Sequence, residues 1–76
     1  MNDDSTLALA AEVLRYLAQH PGAADTAEGI LRWWLPQSMA VYGRPEVEAA
    51  LEQLVQDGAL ERRPLPDGRV LYAAAP

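Results

Sequence analysis

The spacing of apolar residues changes once along this chain, and that change limits what it can fold into. Up to Asp57 apolar side chains recur at three- and four-residue intervals, the period of an α-helix, and after Gly58 they alternate, the period of a β-strand. Ala59 to Arg63 and Arg69 to Ala74 read as two strands, with Pro64-Leu65-Pro66-Asp67-Gly68 joining them. The Asp67-Gly68 pair supplies the turn chemistry of a hairpin, and the prolines keep the connection out of the ladder. Leu60, Val70 and Tyr72 are the inward candidates. A chain of 76 residues has room for one domain, spanning 1–76, so a layer of helices has to pack against this one hairpin.

Three helices are expected ahead of it. The first covers about 7–19, capped by Asp4, Ser5 or Thr6 and stopped by His20-Pro21-Gly22, with residues 1–5 flexible. It carries two apolar stripes. Leu7, Ala10, Ala11, Leu14, Leu17 and Ala18 form the stronger, and Leu9, Val13 and Tyr16, ending near His20, the weaker. Two stripes imply a helix covered on two sides, by its own sheet or by a second subunit. The second helix covers about 26–35, with Asp25 as N-cap and Glu28 completing a capping box. Ala27, Ile30, Leu31, Trp34 and Leu35 share its face, Glu28 and Arg32 pair at i, i+4, and Trp33 falls off the face before Pro36 ends the helix. Residues 37–44 fit a short strand, one extra helical turn or ordered coil. The third helix covers about 45–57, with Pro45 in its first turn, Gly58 as its stop and a stripe of Val47, Ala50, Leu51, Leu54 and Val55.

The run Val47-Glu48-Ala49-Ala50-Leu51-Glu52-Gln53-Leu54-Val55-Gln56-Asp57-Gly58-Ala59-Leu60-Glu61-Arg62 resembles the third helix and first wing strand of bacterial winged helix-turn-helix regulators. Asp67-Gly68-Arg69-Val70-Leu71-Tyr72 resembles their wing tip and returning strand. The likeness covers about three-quarters of the chain. It implies an α+β fold, a three-helix winged helix-turn-helix with a C-terminal two-stranded β-hairpin wing. In that family the third helix enters the DNA major groove and the wing touches backbone or minor groove.

Composition narrows the function. Six arginines, no lysine and eleven acids give a net charge of −5, against the basic face that nucleic-acid binders present. Cysteine is absent, which excludes a disulfide scaffold, a thiol nucleophile and a thiolate metal site. His20 is the one histidine, and it reads as a helix-end residue favourable to the dipole. Asp25 and Glu28 read as capping groups instead of an acid–base pair. No Ser-His-Asp set, phosphate-cradling glycine loop or metal cluster stands in the sequence. The expectation is a protein that is not an enzyme, with no cofactor, metal or small-molecule substrate. No apolar run reaches membrane-spanning length, and Met1-Asn2-Asp3-Asp4 is acidic where a secretory signal is basic, so a cytoplasmic location is expected.

Three surfaces are candidates for binding. The outer face of the third helix presents Arg44, Glu48, Glu52, Gln53 and Gln56, either as ordinary solvating charge or as a surface for a basic protein. Arg62, Arg63 and Arg69 cluster around the hairpin, as a solubilising edge or as a grip on phosphate or on an acidic partner. Leu9, Val13, Tyr16 and Trp33 are the candidate dimer interface. The expected partner is another protein or a second copy of the chain. The alternative is a DNA-binding transcriptional regulator using the third helix and Arg62, Arg63 and Arg69, disfavoured by the glutamates of the third helix.

Overall fold

The structure is a computed structural model that describes residues 4–76. Among these residues the protein is α+β, with three helical segments and a three-stranded antiparallel sheet, an arrangement compatible with a winged-helix-like fold. Helix α1 spans Asp4–Gln19. It therefore begins earlier than the expected residue 7, and Asp4 and Ser5 are helical instead of flexible. The same expectation for residues 1–3 lies outside the described residues. With Asp4, Ser5 and Thr6 all inside the helix, none of them is its N-cap.

Of the two apolar stripes on α1 the weaker is the buried one, joined by Leu17 and Ala10 from the stronger. Leu9 and Val13 are fully buried and Leu17 nearly so, while Leu7 is 57% and Leu14 42% exposed. The cause is volume. The outer stripe of Leu7, Ala11, Leu14 and Ala18 is half alanine, whereas Leu9, Val13, Tyr16 and Leu17 bring branched and aromatic side chains to fill the core. Tyr16 fixes the phase further, its ring stacked on Trp34 with centroids 4.7 Å apart.

A strand not expected from the sequence follows. β1 (Ala24–Asp25) pairs antiparallel with the last strand, β3 (Val70–Ala74), through Ala24↔Ala73 and Asp25↔Tyr72. β2 (Leu60–Pro64) takes the other edge of β3, so the order is β1-β3-β2. The hairpin is thus the larger part of a three-stranded sheet. Pro64 sits in the ladder opposite Val70, which it tolerates because it ends an edge strand. Gly58 (φ +81°) and Gly68 (φ +91°) adopt the left-handed conformation that ends the third helix and closes the hairpin.

The second helix starts one residue later than expected. Thr26, not Asp25, is the N-cap, its hydroxyl accepting from the Gly29 N–H at 3.2 Å. Asp25 Oδ1 accepts from the Thr26 N–H at 2.8 Å, and Glu28, freed from a capping box, turns to arginines. The α-helical part, α2 (Ala27–Gly29), runs directly into a π-helical turn, Ile30–Trp34. That wider turn buries Ile30 and Trp34 and leaves Trp33 73% exposed. Leu35 is already extended, as a residue before proline should be. Within 37–44 the extra helical turn is the observed form: one 3-10 turn, Gln37–Met39. Helix α3 (Arg44–Gln56) then begins at Gly43, whose N–H is held by Glu46 Oε1 at 2.9 Å.

The core lies between α1, α3, the π turn and the sheet. Val47, Ala50, Leu51 and Leu54 of α3 meet Leu9, Val13 and Leu17 of α1, with Ile30, Trp34, Leu60 and Tyr72 closing the cluster. Full burial of a side chain such as Leu51 or Ile30 stabilises by about 1.5–3 kcal/mol, a large share of a net stability of about 5–15 kcal/mol.

Candidate functional site

The burial pattern removes one candidate surface. Leu9 and Val13 are sealed inside the monomer, so they cannot form a dimer interface, and Tyr16 is half-buried between Trp34 and His20. Of that set only Trp33 stands free on the surface.

The outer face of α3 and the hairpin remain, and both are charged. Strand alternation decides where the hairpin arginines go. Arg62 lies on the same side of β2 as buried Leu60, opposite Tyr72, and reaches α3. Its Nη1 donates to Glu52 at 3.0 Å (Oε1) and 3.2 Å (Oε2). Arg63 points to the other side of the sheet, where its Nε donates to Glu61 Oε2 at 2.6 Å. Arg69 lies at the turn, its Nε 2.8 Å from Asp67 Oδ2. The three arginines therefore do not form the single cluster their spacing in sequence suggested. Arg62 faces α3, Arg63 faces away from it, and Arg69 belongs to the turn.

Asp67 is held twice, because the Arg69 backbone N–H also donates to its Oδ1 at 3.0 Å. That backbone bond, then the guanidinium, keeps its carboxyl below the ordinary aspartate range. Tyr72 shows the opposite effect. Burial pushes its phenol up, and the hydrogen bond it donates to Glu52 Oε2 at 3.2 Å pushes the same way. Glu52 thus ties α3 to the sheet through two partners, Arg62 and Tyr72.

At the other end of α3 the charges form a chain. Arg44 Nε donates to Glu48 at 3.0 Å, Arg44 Nη1 lies 3.9 Å from Glu28, and Glu28 lies 3.5 Å from Arg32. Arg44, Glu28 and Glu48 together with Arg69 line a groove of about 400 Å³ between α2, α3 and the hairpin, floored by Val70 and Tyr72. Gln53 of α3 hydrogen-bonds Asp57 at 3.1 Å, and Gln56 is exposed with no bond of its own among those described. Reading the sequence missed Glu28 and Tyr72 as members of this surface. Glu28 sits at a position a capping box would use, and Tyr72 sits at an inward strand position. Neither address announces a contact reaching across to α3.

All six arginines are paired with carboxylates, since Arg15 also meets Glu12 at 3.7 Å. From Gly43 to the C-terminus four arginines stand against six acids, Glu46, Glu48, Glu52, Asp57, Glu61 and Asp67, a net of −2. Comparison with protein-family models finds no match, and no curated protein matches the chain.

Proposed function

We propose that the chain is a winged helix-turn-helix domain that acts by binding a protein, and that the α3–hairpin surface receives a basic segment of that partner. The resemblance of residues 47–62 and 67–72 supports the domain family, as does the order of three helical segments ahead of a hairpin. The net −2 on α3 and the hairpin carries the choice of partner. Ion pairing alone would not exclude DNA, because an exposed pair is worth only about 0.2–1 kcal/mol and is easily exchanged. The outcome of such an exchange weighs against DNA. Moving Arg44, Arg62 or Arg69 onto phosphate strips Glu48, Glu52 or Asp67 of its partner and leaves a bare carboxylate beside the polyanion. Such a surface has few counterions to release from DNA, and that release is what drives binding. A basic peptide meets instead the excess of negative charge, since among the described residues Glu46 and Asp57 carry no arginine and Glu48 and Glu52 lie beside them on α3. The groove's carboxylates are held by arginines, which suits recognition more than proton transfer.

Two titrations test the proposal. With an arginine-rich peptide, Glu48→Lys combined with Glu52→Lys should weaken binding at least about tenfold while circular dichroism stays unchanged. With a short mixed-sequence DNA duplex at low salt, no saturable binding is expected up to about 100 μM. Saturable duplex binding that Arg44→Ala and Arg69→Ala reduce would overturn the proposal in favour of a DNA-binding regulator.

A further inference from the structure

The face of α1 that the core leaves outside is an apolar strip. Leu7, Ala11, Leu14 and Ala18 are all exposed and follow one another at intervals of four, three and four. This is the spacing of a coiled-coil seam, which needs a facing helix. A surface helix normally puts charge there; α1 instead is apolar on both sides.

We infer that this seam is covered by the α1 of a second copy, packed antiparallel about a two-fold axis between Ala11 and Leu14. The seam is complementary to itself in that arrangement alone. Reversing one copy sets Leu7 against Ala18 of the partner copy and Leu14 against Ala11, so each large side chain faces a small one. A parallel pair sets leucine against leucine and alanine against alanine, leaving alternate layers crowded and hollow, and it aligns the helix dipoles unfavourably. An alanine in every layer also allows the axes to approach to about 8 Å, the close end of helix packing.

Charge agrees with size. Arg15 borders the seam, and Glu12 stands further round the helix on the same side, its side chain 23% exposed. At 1.5 Å per residue, reversal about that axis brings Arg15 of one copy to within about 3 Å, along the helix, of Glu12 of the other. Two cross-pairs result, in place of the intrachain contact at 3.7 Å. The area sets the strength. Sixteen residues give a helix about 24 Å long, and a seam about 10–15 Å wide buries roughly 250–400 Å² per copy. A stable interface takes about 800 Å² per partner, so the dimer is weak and forms only at high protein concentration.

Sedimentation equilibrium of the full chain from micromolar to millimolar concentration tests the inference. The wild type should pass from monomer to dimer. Leu14→Glu, and separately Ala11→Glu, should weaken association at least tenfold while the near-ultraviolet signal of the stacked Tyr16 and Trp34 is kept. Mixing two single variants supplies the stricter test. Arg15→Glu sets its new carboxylate against Glu12 of the other copy in a homodimer, and Glu12→Arg sets its new guanidinium against Arg15. Each variant alone should therefore associate less than wild type. Their equimolar mixture brings opposite charges back together across the seam and should associate more strongly than either variant alone. A chain that stays monomeric at millimolar concentration overturns the inference and assigns the seam to a protein of another sequence. A dimer untouched by Leu14→Glu overturns it as well, as does a mixture no stronger than its parts.

Discussion

α1 and α3 lie against each other and differ by only three residues in length, yet their outer faces have nothing in common. α3 is apolar inside and charged outside, so its orientation follows from the pattern of its residues. α1 carries Leu9, Val13 and Leu17 inside and Leu7, Ala11, Leu14 and Ala18 outside, and the pattern alone does not choose between them. The choice falls to bulk: the face with more side-chain volume fills the core. The difference teaches that where two faces are equally apolar, apolar area available for packing ranks them and the count of apolar positions does not.

The largest effect that can break this comparison lies on α1 itself. Leu9→Ala should cost about 2.5–5 kcal/mol in urea unfolding, enough to unfold much of a domain this small, because it opens a cavity at a fully buried position. Leu14→Ala, on the outer stripe, should cost under about 0.5 kcal/mol at concentrations where the chain is monomeric. Similar losses at the two positions would mean that the inner and outer faces of α1 are not distinct.

Where α3 meets the sheet, Tyr72→Phe on β3 sharpens the contrast, for it removes one of the two ties between Glu52 and the sheet. The expected loss is about 0.5–1.5 kcal/mol. The phenol's pKa is raised in the folded protein, so the native state favours its protonated form. The stability this contributes is complete below the unfolded-state value of 10.0 and is lost as pH rises through the folded value. Urea midpoints should therefore fall more steeply above pH 10 in the wild type than in Tyr72→Phe. The smallest effects belong to the exposed pairs. Arg44→Ala and Arg15→Ala should each shift stability by less than about 0.5 kcal/mol in the monomer. A larger loss at Arg44 would mean that the Arg32–Glu28–Arg44–Glu48 chain acts as a network.

The sequence made α3 and the hairpin readable because their signals are local and unopposed: Pro45, Gly58, a single stripe from Val47 to Leu54, and Asp67-Gly68 between alternating runs. β1 gives no such signal. Two residues make no pattern, and Ala24 and Asp25 are strand-like only because the free edge of β3 lies beside them. The shift of the N-cap from Asp25 to Thr26 separates two good capping residues by one position, a choice that tertiary packing makes. The candidate site was readable as composition and not as arrangement. Acidic residues on α3 are visible in the sequence, whereas Arg62 and Tyr72 meeting on Glu52 requires the hairpin to be docked. The split of Arg62 from Arg63 follows from strand alternation, which was available once β2 was recognised.

The order β1-β3-β2 also sets a timetable for folding during synthesis. Of the three strands among the described residues, the one latest in sequence is the one in the middle, and Ala24 waits for Ala73 before it has a neighbour. While the ribosome is still adding residues, both outer strands exist with no strand between them, and Tyr72, one wall of the core, is missing. The sheet is therefore completed in one step, when β3 enters between the two outer strands. Removing β3 from Val70 onward leaves β1 and β2 with no ladder to join.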